Sequence, residues 1–304
     1  MQMRTIRIGT RDSELALWQA NTVKNKLEEL GYTTQLVAVK STGDIVLDKP
    51  LYELGITGIF TKTLDVALLK DEIDIAVHSM KDVPTSLPKG LEQVAVLKRG
   101  KVEDILVYKG DMAFIEGKGI IATGSLRRKA QWLHRFPRHK VTDIRGNVNT
   151  RLQKLKNNNW DGAIFAQAGL ERINLKPKKH IILDWMIPAP AQGAMVVVAK
   201  QEDVFSRSVL TELNHEETEM CTYIERQFLR ELEGGCTAPI GAIAKIENGQ
   251  IHFKGILLSI DGKQRLIKET VVEIASYKDI GKQCAQKVLE SGGKELMKTI
   301  KGQL

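Results

Sequence analysis

Short apolar runs alternate with helical patterns twice over in the first two-thirds of this chain, and that rhythm restricts the fold more than any other feature. Thr5–Gly9 reads as a strand, and Thr10-Arg11-Asp12-Ser13 as a loop and helix cap. Ala16, Ala20, Val23, Leu27 and Leu30 then recur at helical spacing until Gly31. Gln35–Val39 is a second strand, Thr61–Leu69 a helix, and Ile73–Val77 a buried strand ending in His78-Ser79-Met80-Lys81-Asp82-Val83-Pro84. Asp44–Gly58 has Pro50, Gly55 and Gly58 and no clean periodicity, so it reads as a mobile loop, a candidate lid. A second unit starts near Lys101 with strand Ile120–Ala122, a helix from Leu126, strand Lys140–Ile144 and helix Arg151–Lys156. Strand Gly162–Ala166 and helix Leu170–Ile173 follow, and Ala194–Ala199 returns the chain to the first sheet. Such alternation builds parallel or mixed sheets. Two lobes joined by two crossings imply a cleft between them, with ligands at the carboxyl ends of strands. Ser13, Asp82, Ser125, Arg145 and Gln167 all fall at such ends.

The C-terminal part has a different pattern. Glu216–Leu232 is an amphipathic helix broken by Glu233-Gly234-Gly235-Cys236. Ile240–Ile246, Gln250–Ser259 and Gln264–Ile274 read as strands joined at Asn248-Gly249 and Asp261-Gly262, both strong hairpin signals, and Asp279–Ile300 closes the chain as a helix. The expected class is α/β: two lobes with mixed sheets and a small α+β domain with a three-stranded antiparallel sheet. Residues 1–98 with 194–214 form the first lobe, 99–193 the second and 215–304 the last domain.

Charge is concentrated. Eight basic residues and one acid, Asp143, lie in Thr123–Arg151, a local +7 against a formal surplus of +8 for the chain. Arg127 and Arg128 follow the break Thr123-Gly124-Ser125, Arg145-Gly146-Asn147 is a turn, and Arg151 opens a helix after Asn149-Thr150. Guanidinium groups at loop–helix junctions suit bidentate capture of carboxylate or phosphate. The pattern points to a polyanionic ligand.

Several classes are disfavoured. Cys221, Cys236 and Cys284 are an odd set without CxxC spacing, so neither a disulfide framework nor a zinc site is supported. No apolar run approaches the ~18 residues of a membrane span. The chain enters its first strand almost at once, leaving no room for a signal or transit peptide and predicting a cytoplasmic protein. That argues against an exported solute-binding protein, and no helix-turn-helix precedes Thr5 to suggest a regulator. Aromatic residues are only 5% and no RNP-like or zinc-finger pattern occurs, which disfavours a nucleic-acid binder.

Five separated segments then carry a resemblance. They are Arg7-Ile8-Gly9-Thr10-Arg11-Asp12-Ser13-Glu14-Leu15-Ala16, His78-Ser79-Met80-Lys81-Asp82-Val83-Pro84, Gly124-Ser125-Leu126-Arg127-Arg128, Arg145-Gly146-Asn147 with Thr150-Arg151-Leu152, and Leu232-Glu233-Gly234-Gly235-Cys236. In this order the chain resembles the porphobilinogen deaminase (hydroxymethylbilane synthase) family from end to end. The resemblance implies two lobes like periplasmic binding proteins and a C-terminal domain bearing a cysteine loop. It implies a monomeric transferase of porphyrin and heme biosynthesis, without metal, membrane or nucleic-acid partner. Four molecules of porphobilinogen would be joined head to tail with loss of ammonia to give hydroxymethylbilane. The product would grow on a dipyrromethane cofactor held by a thioether to Cys236.

Roles follow residue by residue from the same resemblance. Asp82 is the catalytic carboxylate, opposite pyrrole N–H groups; on context alone it would be a loop acid steadying the turn before Pro84. Lys81, Thr123, Ser125, Arg127, Arg128 and Arg145 are assigned to the cofactor. Arg11, Ser13, Gln19, Ser79, Arg145, Arg151 and Arg172 are assigned to substrate. Ser13, Thr123 and Ser125 are equally readable as helix caps, and the arginines as a solvated face. Cys221 and Cys284, within helical patterns, read as small buried hydrophobes. Ala191 departs from the family, many of whose members carry glycine before Gln-Gly.

Overall fold

The computed structural model describes residues 4–39, 60–232 and 238–303, so the expected lid Asp44–Gly58 and Cys236 lie outside the described residues. Among those described, 4–39, 60–100 and 193–219 pack as one compact unit, and 101–192 with 220–303 as another.

The first unit contains β1 (Ile6–Thr10), α1 (Glu14–Glu29), β2 (Thr34–Ala38), α2 (Lys62–Leu69), β3 (Ile75–Ser79) and β4 (Leu91–Val96). Its sheet is completed far downstream by β10 (Met195–Lys200), in the order β2-β1-β3-β10-β4. β1 is parallel to β2 and β3, whereas β10 runs antiparallel to β3 and β4. Met195 to Ala199 are all buried, which is what insertion into a sheet covered on both faces demands. On one face Ile8, Ile75, Val77 and Val197 pack against Ala20, Val23 and Leu27 of α1; on the other, Ala76 and Val198 pack against Leu64 and Leu68 of α2. β3 begins two residues later than the expected Ile73–Val77. Asp74 is occupied in a turn, accepting from the Arg7 backbone N–H at 2.7 Å and from the Arg7 guanidinium at 2.8 and 3.0 Å. His78 and Ser79 therefore belong to the strand.

The second unit repeats that plan with β5 (Asp104–Tyr108), β6 (Ile120–Ala122), α3 (Leu126–Arg135), β7 (Lys140–Thr142), α4 (Val148–Asn157), β8 (Gly162–Ala166), α5 (Gln167–Arg172) and β9 (His180–Ile182). The order is β7-β6-β8-β5-β9, with β6 parallel to β7 and β8 and the inserted β5 antiparallel to β8 and β9. α4 starts at Val148, not Arg151, because the Asn147 side chain caps it, accepting from Thr150 N–H at 2.9 Å. Arg151 consequently sits one turn into the helix.

After α6 (Val204–Thr211) and α7 (Glu216–Glu231) come β11 (Ile240–Glu247), β12 (Gln250–Leu258) and β13 (Arg265–Glu273), the expected three-stranded antiparallel sheet. The closing helix is two helices, α8 (Ile280–Val288) and α9 (Lys294–Gln303), because Gly292 adopts φ +102° and breaks the hydrogen-bond ladder. Within the unit this sheet is fastened to the lobe: Ala242 N–H donates to Pro188 O at 3.0 Å, and the hairpin turn at Gly262 lies against α3.

Candidate active site

In the first unit the candidate residues gather where β1 and β3, neighbouring parallel strands, end. Ser13 follows β1 and caps α1, its Oγ accepting from Ala16 N–H at 3.4 Å. Arg11 lies over the Phe60 ring, 4.5 Å from its centroid. Gln19 is buried on α1 and donates from Nε2 to Ser79 Oγ at 2.8 Å, so two residues expected at substrate are bonded to each other. Beyond Ser79 a single 3₁₀ turn carries Met80, Lys81 and Asp82. Met80 is buried and donates its N–H to Ala194 O at 3.0 Å, and Val83 N–H returns to Met80 O at 3.2 Å. The backbone is thereby pinned on both sides of Lys81 and Asp82, whose side chains remain half-buried. His78, unremarked in the sequence beyond its motif, is buried with Nε2 lacking a hydrogen-bond partner among the described residues, and burial followed by the charge of Arg11 pushes its pKa down to about 4.

In the second unit the same geometry recurs at the ends of β6, β7 and β8. Thr123 Oγ1 accepts from Ser125 N–H at 3.2 Å, and Ser125 Oγ accepts from Arg128 N–H at 3.4 Å, capping α3. Both serine caps anticipated as alternatives are thus present. The arginines are no solvated face: Arg127, Arg128 and Arg145 are 4%, 5% and 7% exposed. Nor are Arg127 and Arg128 simply open to a ligand. Arg127 Nη1 donates to Asp104 Oδ2 at 2.7 Å and to Ile187 O at 2.8 Å. Arg128 donates from Nε and Nη2 to Asp104 Oδ1 at 3.0 and 2.7 Å, and from Nη1 to Ile164 O at 3.0 Å. Gln192 Nε2 adds a fourth donor to that carboxylate at 2.9 Å. Burial alone would raise the Asp104 pKa, but the charges of Arg127 and Arg128 hold it well below the usual carboxylate range.

The remaining arginines differ. Arg145 follows β7 and Arg172 ends α5; burial lowers both, Arg172 to about 10. Arg151 Nε donates to Gly146 O at 2.7 Å, bracing the turn that carries Arg145. Cys221 and Cys284 are buried, and burial raises the Cys284 thiol, which makes that sulfur a poor nucleophile.

Comparison with known proteins decides the family. The porphobilinogen deaminase dipyromethane cofactor binding domain matches residues 6–208, and the porphobilinogen deaminase C-terminal domain matches 219–290. The chain belongs to the porphobilinogen deaminase family. It is 40% identical to porphobilinogen deaminase of Chloroherpeton thalassium, over 97% of each chain. It is 41% identical to that of Alkaliphilus metalliredigens, over 98% of this chain and 96% of the other. Among solved structures, a probable amino-acid transporter extracellular-binding protein from Bacillus subtilis aligns with 70% of this chain and 90% of its own at 14% identity and TM-score 0.44, a likeness too distant to bear on function. Porphobilinogen deaminases are transferases, and the matched domain is the one that binds their dipyrromethane cofactor. A dipyrromethane bearing acetate and propionate arms fits a set of desolvated cations at strand ends, since each carboxylate replaces water the guanidinium has already lost.

Two residues escaped sequence reasoning. Asp104 gave no signal, being an acid at the head of an apolar run. Ala191, noted only as a departure, takes φ +61° and donates its N–H to Glu225 Oε2 at 2.6 Å, while Glu225 Oε1 accepts from Ala244 N–H at 2.8 Å. A left-handed residue is where glycine is favoured, the residue that the resemblance leads one to expect there.

Proposed function

We propose that this chain catalyses the reaction of its family, the head-to-tail condensation of four porphobilinogen molecules with release of ammonia to give hydroxymethylbilane. We assign covalent attachment of the dipyrromethane cofactor to Cys236. The observation that carries the reading is the coincidence of the family match, over nearly the whole chain, with a fixed Lys81-Asp82 turn in one unit and desolvated arginines at strand ends in the other. When bound, the cofactor supplies the pyrrole terminus on which the product is extended.

The residues of the chain then have separable tasks. As porphobilinogen loses ammonia, the C–N bond of its aminomethyl arm breaks with the electron pair leaving on nitrogen, and positive charge spreads over the ring. Asp82, anchored by Met80, offers a carboxylate acceptor to the ring N–H and stabilises that charge. Lys81, Arg145, Arg151 and Arg172 neutralise acetate and propionate groups, with Arg11, Ser13, Gln19 and Ser79 orienting the incoming ring. Arg127 and Arg128, with Thr123 and Ser125, serve the cofactor. The reading extends to three domains (1–98 with 194–214, 99–193 and 215–304) and to a cytoplasmic monomer with no nucleic-acid partner.

The test is the intact mass of the purified protein. A mass excess of two linked pyrroles is expected, lost in Cys236→Ala and kept in Cys221→Ala and Cys284→Ala. An adduct on either buried cysteine, or none at all, would refute the assignment.

A further inference from the structure

Asp104 opens β5 and directs both carboxylate oxygens at the first turn of α3, where it meets Arg127 and Arg128 at 2.7 Å each. The carboxylate is fully buried and the two guanidiniums nearly so. Three charged side chains thus share one enclosed space and sum to +1, within a shell made by Gln192 Nε2 and the carbonyls of Ile164 and Ile187. Burying an uncompensated cation is among the costliest arrangements a fold can hold, and a fold needing only an ion pair would use one arginine. Arg127 Nε is buried and has no hydrogen-bond partner among the described residues, so a donor in this cluster is left facing no acceptor.

We propose that Asp104 is a positioning residue for the cofactor-binding arginines: it locks two guanidiniums in one pose and cancels one of their charges, leaving a single positive charge for one cofactor carboxylate. The proposal rests on the functional reading above. Removing the Asp104 charge would leave two adjacent buried cations repelling each other, so the first turn of α3 and the Ser125 cap would shift before any ligand arrived.

The first unit provides a control of the same composition, with its arginines more exposed. Asp74 likewise holds two arginines, Arg4 at 2.7 Å and Arg7 at 2.8 Å, with no candidate cofactor residue among them. Asp104→Asn, Asp104→Glu and Asp74→Asn are purified, and each is scored for thermal midpoint and for the fraction of chains carrying the pyrrole adduct by intact mass. Asp104→Asn should lose at least tenfold in loaded fraction among soluble, folded chains. Asp104→Glu, which keeps the charge but displaces both guanidiniums, should load several-fold more slowly when porphobilinogen is added to unloaded protein. Asp74→Asn should lower the midpoint and stay fully loaded. If Asp104→Asn does not fold, the Asp104→Glu loading rate decides. Wild-type loading in either Asp104 variant, or equal loss in Asp74→Asn, would reduce Asp104 to a structural ion pair. Wild-type protein without any adduct would overturn the functional reading and this proposal with it.

Discussion

At the scale of single residues, Asp82 and His78 occupy adjacent parts of one motif and face opposite demands. Asp82→Asn keeps the shape but replaces an acceptor with donors where ring N–H groups need an acceptor. Single-turnover ammonia release from cofactor-loaded protein should fall about 10²–10⁴-fold, while Asp82→Glu retains measurable release. Near-normal release by Asp82→Asn would remove it from the mechanism. His78 concerns stability. Its native pKa of about 4 lies below the ordinary value near 6.5, so the unfolded chain takes up a proton that the native state refuses. This contribution is intact above about pH 6.5 and is lost as pH falls towards about 4, by up to roughly 3 kcal/mol. Asp65 acts in the opposite sense: burial raises it to about 6, so stability from its protonated form declines as pH rises from about 4 to about 6. Urea unfolding at pH 7.5 and about pH 4.5 should therefore show a smaller acid loss in His78→Phe than in wild type, and a larger one in Asp65→Asn. Parallel curves for all three would dismiss both groups.

At the scale of elements, the hairpin turns show how one sequence signal can carry two different weights. Asn248 and Gly249 adopt φ +52° and +75°, as their dipeptide predicts, and a Cβ on Gly249 would meet nothing within 4 Å among the described residues. Gly262 has the same φ of +75°, but its Cβ would lie 2.4 Å from Ala130 O and 2.7 Å from His134 N of α3. Gly249→Ala should cost about 1 kcal/mol from backbone strain alone. Gly262→Ala should cost roughly 2–4 kcal/mol by adding steric overlap, read from guanidinium midpoints, and equal losses would mean that the turn does not bear on α3. This contact was invisible in the sequence, which marks a turn but not what the turn lies against. The same limit explains the other differences. The strand-end positions of Ser13, Asp82, Ser125, Arg145 and Gln167 were legible because each follows an apolar run broken by polar residues. β4 was not, since Glu92 and Gln93 interrupt its alternation; Glu92 pairs with Arg207 of α6 instead. Asp104 reaches its partners only because β5 pairs with β8, a tertiary fact. The break between α8 and α9 was masked because Val288, Leu296 and Ile300 keep a helical step across it.

At the scale of the whole molecule, the first unit is assembled from separated segments, and its sheet cannot be completed by the segment that begins it. β10 supplies five registered partners to β3, from Met195 opposite Ser79 to Ala199 opposite Ile75, and five to β4. A chain ending at Gln192 should leave the β3 amides exchanging freely in native-state hydrogen exchange, and a peptide of residues 193–219 added in trans should restore their slow exchange. Full protection without the peptide would show that the sheet closes unaided. The placement of β10 also sets a schedule for the ribosome. About 115 residues separate the end of β3 from the start of β10, and translation covers that distance on the order of ten seconds. Throughout that interval the edge of β3 awaits a neighbour not yet made, while every strand of the second sheet is being synthesised. Of the two five-stranded sheets, the one begun first is the last completed.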